Sequence, residues 1–65
     1  MKIELDLTQA EFDSFFFALR MRAHRCEERA AEPGASADKV AMNEEESRRC
    51  VGLSERLMRL SRKAA

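Results

Sequence analysis

With 65 residues the chain is one domain at most, and such a domain buries only about 60% of the surface its unfolded form exposes. Twelve basic residues balance twelve acidic ones, which argues against nucleic-acid binding driven by bulk charge. Two cysteines and one histidine fall short of a four-ligand zinc set and of a secreted disulfide framework. Oligomerisation is then the remaining support for so small a fold. The apolar fraction, 45%, is well patterned and argues against disorder throughout. No apolar run approaches the ~20 residues that span a bilayer. The opening Met1–Leu7 lacks the apolar core of a signal peptide. The expectation is a soluble, cytoplasmic protein with both thiols reduced, no membrane contact and no cofactor.

Residues 2–7 alternate strictly: Lys2, Glu4 and Asp6 point one way, Ile3, Leu5 and Leu7 the other. Period two with one apolar face predicts a short, half-buried strand. One strand cannot pair with itself. It must add to a second copy, add to a partner's sheet, or lie along the helices. Thr8 followed by Glu11 fits a capping box, and Leu7 with Phe12 has the spacing of a hydrophobic staple. These place a helix over residues 9–31. Its apolar positions recur at 12, 16, 19, 23, 26 and 30, the seam of a helix packed along another helix. All four aromatic residues lie in Phe12–Phe17, so the bulky part of the seam is at its start.

Pro33 disfavours helix at Glu32, Gly34 supplies the turn, and Ser36 or Asp38 can cap a second helix over residues 37–63. The loop, 32–36, is short enough to make the helices antiparallel neighbours. In the second helix Cys50, Leu53, Leu57 and Leu60 form the expected seam. Residues 43–49 carry no apolar side chain, and Gly52 marks a kink or a close backbone contact. The predicted fold is mainly α: a short N-terminal strand, then an antiparallel two-helix hairpin that dimerises into a four-helix bundle.

A loop centred near Gly34 pairs residues whose numbers sum to about 69. Phe12 then meets Leu57, Phe16 meets Leu53, Leu19 meets Cys50, and Cys26 meets Asn43. Arg22 and Arg25 fall beside residues 44–46, and Glu11 and Asp13 beside Arg56 and Arg59. Glu44–Arg48, Glu45–Arg49 and Glu55–Arg59 have the spacing of same-helix pairs. The cysteines fall ~10 Å apart along the axis, too far for a bridge, so both are expected free.

Phe17, Met21 and His24 fall outside the first seam, and Val51 and Met58 outside the second. A hairpin buries one face of each helix, so these five residues are the expected dimer or partner interface. His24 has no nucleophile at a useful spacing, because Cys26, two residues on, points elsewhere on a helix. The three consecutive carboxylates at 44–46 diverge, as neighbours on a helix do, and form no metal cage. Arg56, Arg59, Arg62 and Lys63 make a basic contact patch or simply complement the helix C-terminus. No enzyme is expected.

These features predict a small interaction module that acts by occupying a surface of a larger protein or complex. An inhibitor, antagonist or adaptor fits, including the anti-CRISPR-type inhibitors that phages and mobile elements carry. The alternative rests on the order strand, helix, Gly-containing turn, helix over the first fifty or so residues, which superficially resembles the ribbon-helix-helix family. That resemblance implies a dimeric transcriptional regulator whose paired strands enter the major groove. The chain departs from the pattern in two respects. Its first helix is much longer, and Lys2, Glu4 and Asp6 would turn two carboxylates toward the DNA.

Overall fold

Local signals at Thr8 start the first helix as their spacing dictates. The computed structural model describes residues 1–64, with side chains through residue 62. Helix α1 runs Gln9–Ala30 and helix α2 runs Ala37–Ala64. The Thr8 hydroxyl accepts from the Glu11 amide at 3.1 Å, and the Glu11 carboxylate accepts from the Thr8 amide at 2.9 Å. Two otherwise orphan donors are thereby satisfied. Gly34 takes φ +80°, a left-handed turn conformation that a side chain would strain. Of the two predicted caps for α2, Ser36 is used: its hydroxyl accepts from the Lys39 amide at 3.2 Å. Lys39 Nζ also reaches back to Glu32 Oε2 at 3.0 Å and ties α2 to the loop.

The result is an antiparallel helical hairpin 45 Å long and 15 Å thick. Its register follows the predicted sum near 69. Arg22 Nε lies 3.5 Å from Glu46 Oε1 across the pair. Cys26 and Asn43 line one hollow between the helices, and Phe12 and Leu57 another. Every seam position of α1 is buried or half-buried, with Ala23 and Cys26 buried. Phe12 and Phe16 stack one turn apart, ring centroids 6.2 Å.

The seam of α2 differs from expectation. Apart from half-buried Glu46, Val51 and Gly52 at its edges, the buried or half-buried residues fall at 40, 43, 47, 50, 54, 57 and 61, in steps of three and four. Ser54 and Ser61 take the places assigned from the sequence to Leu53 and Leu60, which are exposed instead, and Ser47 extends the seam toward the loop. The physical reason lies opposite. In this register Ser54 and Ser61 stand beside the bulky half of the α1 seam, where Phe12, Phe16 and Leu19 fill the space between the helices and leave room only for small side chains. Serine tolerates this burial because its hydroxyl finds a nearby oxygen. Ser54 Oγ donates to the Val51 carbonyl at 2.7 Å, and Ser47 Oγ to Glu27 Oε1 at 3.0 Å. Gly52 makes no close contact, since a Cβ there would meet nothing within 4 Å.

Residues 1–8 form no regular secondary structure, because one chain offers no second strand to pair with. Their alternation is nevertheless realised in space. Ile3, Leu5 and Leu7 all line an open groove of about 430 Å³ with Phe12, Leu57 and Leu60. The expected staple partners, Leu7 and Phe12, share that groove.

Ser54→Leu therefore destabilises the hairpin, although it adds apolar volume. The expected loss is about 1–3 kcal/mol from overpacking, read by denaturant unfolding. Gly52→Ala, in open space inside a helix, raises stability by about 1 kcal/mol. Thermal unfolding checks the sign of each.

Candidate functional site

One ion pair, one hydrogen bond and the heptad step define the sides of the hairpin. Arg22 reaches Glu46 across one side. Phe15 lies seven residues before Arg22, and Leu53 and Leu60 lie seven and fourteen after Glu46. Residues seven apart share a helix face. Phe15, Leu53 and Leu60 thus belong to one flank, at the open end of the hairpin, and all three are exposed. Met42, eleven residues before Leu53, continues that flank toward the loop and is 70% exposed. The opposite flank is marked by the Ser47–Glu27 hydrogen bond. Val51, half-buried, and Met58, exposed, lie four and eleven residues beyond Ser47 on that side.

Phe17, Met21 and His24 occupy a third position, the outward stripe of α1. They sit about 120–180° round the helix from the centre of its seam at ~100° per residue. Phe17 is 64% exposed and Met21 49%. His24 Nε2 lies 3.1 Å from Glu28 Oε1 on the same stripe, in solvent. The five residues expected to form one interface therefore lie on two separate stripes, one per helix.

Arg56, Arg59 and Arg62 are exposed and, among the described residues, join no ion pair. Spaced three apart, they turn by about 60° per step and fan round the helix. The Lys63 side chain lies outside the described residues. The expected cross-helix pairing of Glu11 and Asp13 with Arg56 and Arg59 does not form. Glu11 is committed to the helix cap, and Asp13 accepts from Gln9 Nε2 at 2.9 Å. Arg25, expected beside residues 44–46 with Arg22, joins no ion pair among the described residues. Within α2 the predicted Glu45–Arg49 pair forms at 3.4 Å, and Arg49 also reaches Glu46 at 2.7 Å. Glu44–Arg48 and Glu55–Arg59 do not pair.

Glu46 is the most connected polar group between the helices. It takes the Arg22 and Arg49 contacts and a hydrogen bond from the Cys50 thiol at 3.4 Å. The thiol hydrogen bond, then Arg49 and Arg22, outweigh desolvation and hold its carboxyl below the usual 4.5. The Glu11 carboxyl is likewise lowered from 4.5, by the Thr8 backbone and then its hydroxyl. Burial, then the Glu46 carboxylate, raises the Cys50 thiol above its usual 9.0. Both cysteines are free and buried. Among the described residues, no three His, Cys, Asp or Glu side chains are grouped as metal ligands would be. Nor is any described helix long and apolar enough to cross a membrane.

The flank of Phe15, Leu53 and Leu60 escaped the sequence reading. Its signal was the serine repeat at 47, 54 and 61, which competes with the leucines for the seam. No protein-family model matches the chain, and no curated protein or solved structure shows significant similarity to it.

Both lowered carboxyls contribute stability above their unfolded values, and that stability is lost as pH falls through the folded ones. The unfolding midpoint should drop below about pH 4.5, and Glu46→Gln should flatten the profile. The buried, raised thiol of Cys50 should react with a small disulfide reagent at pH 7.5 roughly tenfold or more slowly in native than in denaturing buffer.

Proposed function

We propose that this protein is a non-enzymatic, cytoplasmic interaction module. It self-associates into a four-helix bundle and occupies a surface of a larger protein as an inhibitor or adaptor. The supporting observation is surface. The chain exposes 5591 Å², whereas a folded monomer of 7.5 kDa exposes about 4,200 Å² by size scaling. The excess, roughly 1,300 Å², matches what one subunit of an obligate dimer buries, about 1,000–2,500 Å². The buried apolar residues, Ala23, Cys26 and Cys50, are all small. Fully burying a large apolar side chain stabilises by about 1.5–3 kcal/mol, and this hairpin fully buries none.

Association supplies that burial. It also gives the alternating segment 2–7 a strand to pair with, since residues 1–7 make no backbone–backbone hydrogen bond among the described residues. A bundle joined through one flank leaves the outward stripe of Phe17, Met21 and His24 for the larger partner. Balanced charge and a fanned arginine set favour a protein over a nucleic acid as that partner.

Sedimentation equilibrium should give twice 7.5 kDa at high micromolar concentration; a monomer throughout contradicts the bundle. No salt-sensitive DNA shift is expected at low ionic strength, and one would revive the regulator. A photo-crosslinker at position 17 should capture a protein other than this chain in cells. Self-crosslinks alone would remove the outward stripe from the proposal.

A further inference from the structure

The chain carries more than one exposed apolar stripe, and they differ in what they could accept. The outward stripe of α1 is one residue wide, with Asp13 and Arg20 along one edge and Arg25 along the other. The Phe15 flank is broader because both helices build it. In the observed register Phe15 stands level with Leu53, and Leu60 continues toward the open end. There the flank runs into the groove lined by Ile3, Leu5 and Leu7, in which Leu60 is itself a wall. Its charges further up, Arg22, Glu46 and Arg49, are already paired within the chain. Arg56, one turn from both Leu53 and Leu60, is the unpaired charge at the border of that flank, and its long stem lets the guanidinium reach water when the apolar side chains are covered.

We infer that the flank of Phe15, Leu53 and Leu60, with the adjoining groove, is the surface on which a second copy of this chain seats. This rests on the self-association proposed above and specifies where it occurs. Three observations select a second copy as the occupant. The surplus exposed area equals one subunit's share of an obligate dimer rather than the smaller share of a transient contact. The two helices lie side by side in a layer 15 Å thick, so the flank is a two-helix face that a matching face can cover. Finally, one continuous patch includes both the leucines displaced from the seam and the apolar side of residues 2–7. A two-fold pairing covers both at once. Leu60, 62% exposed in the single chain, becomes a contact at the centre of the bundle.

The test compares full-length Leu53→Glu, Leu60→Glu and the double variant Phe17→Glu/Met21→Glu. Circular dichroism reports helix content, and sedimentation equilibrium reports association. None of the four positions lies in the hairpin seam, so helix content should be retained. Leu60→Glu and Leu53→Glu should weaken self-association by roughly two to three orders of magnitude, because a two-fold axis counts each charge twice. The Phe17→Glu/Met21→Glu variant should associate as the unmodified chain does. Hydroxyl-radical footprinting of the unmodified chain gives a second readout that needs no variant to fold. Leu53 and Leu60 should become protected as concentration rises through the association range, while Met21 stays reactive. Unchanged dimerisation of Leu60→Glu, or protection at Met21 in place of the leucines, would overturn the inference and leave self-association standing. A monomeric unmodified chain would overturn both.

Discussion

The fit of small side chains on α2 against the seam of α1 governs this molecule. Ala23 stands level with Ser47, Leu19 with Cys50, and the turn of Phe15 and Phe16 with Ser54. That choice fixes the rest. Small residues let the helices approach, and approach leaves no room for leucine in the middle of the seam. Leu53 and Leu60 are turned onto a flank, where the heptad repeat lines them up with Phe15. The hairpin thus specifies its own register while displacing much of its apolar material outward. Large apolar side chains add the most stability when buried, so the surface that results is one that a second molecule must cover.

Polar groups support this geometry without replacing it. Glu46 sits beside the seam and gathers Arg22, Arg49 and the Cys50 thiol. Exposed ion pairs are each worth about 0–1 kcal/mol, so the cluster chooses register more than it holds the helices together. At the ends, the capping box at Thr8 and the Ser36 cap fix where each helix starts. Between them, the positive-φ turn at Gly34 makes the chain reverse. Local chemistry thus sets helix limits, and side-chain size sets how the helices meet.

Much of this was legible in the residues. The helix starts, the loop, the α1 seam and the register follow from the Thr8–Glu11 spacing, Pro33–Gly34 and a three-four repeat. The α2 seam did not follow, for a physical reason. Hydrophobicity ranks leucine above serine at every position, so pattern reading placed Leu53 and Leu60 inside. Packing is decided by the facing helix, whose Phe12, Phe16 and Leu19 leave room at positions 54 and 61 only for a small side chain. Phe17, Met21 and His24 on α1 and Val51 and Met58 on α2 fall outside the seams, and the fold keeps them on two stripes, one per helix. Alternation in residues 2–7 predicts a half-buried strand; no strand forms there and the apolar side chains stay exposed along the groove, because pairing depends on a second chain, which one sequence does not supply.

A fold that keeps its large apolar side chains on the outside should owe much of its stability to association. The direct measurement is the concentration dependence of thermal unfolding, followed by circular dichroism from low to high micromolar protein. A midpoint that climbs steadily with concentration, as mass action requires when folding and association are coupled, is the predicted result. A midpoint independent of concentration, together with a monomer's mass, would show that the hairpin seam suffices alone, and would contradict the account.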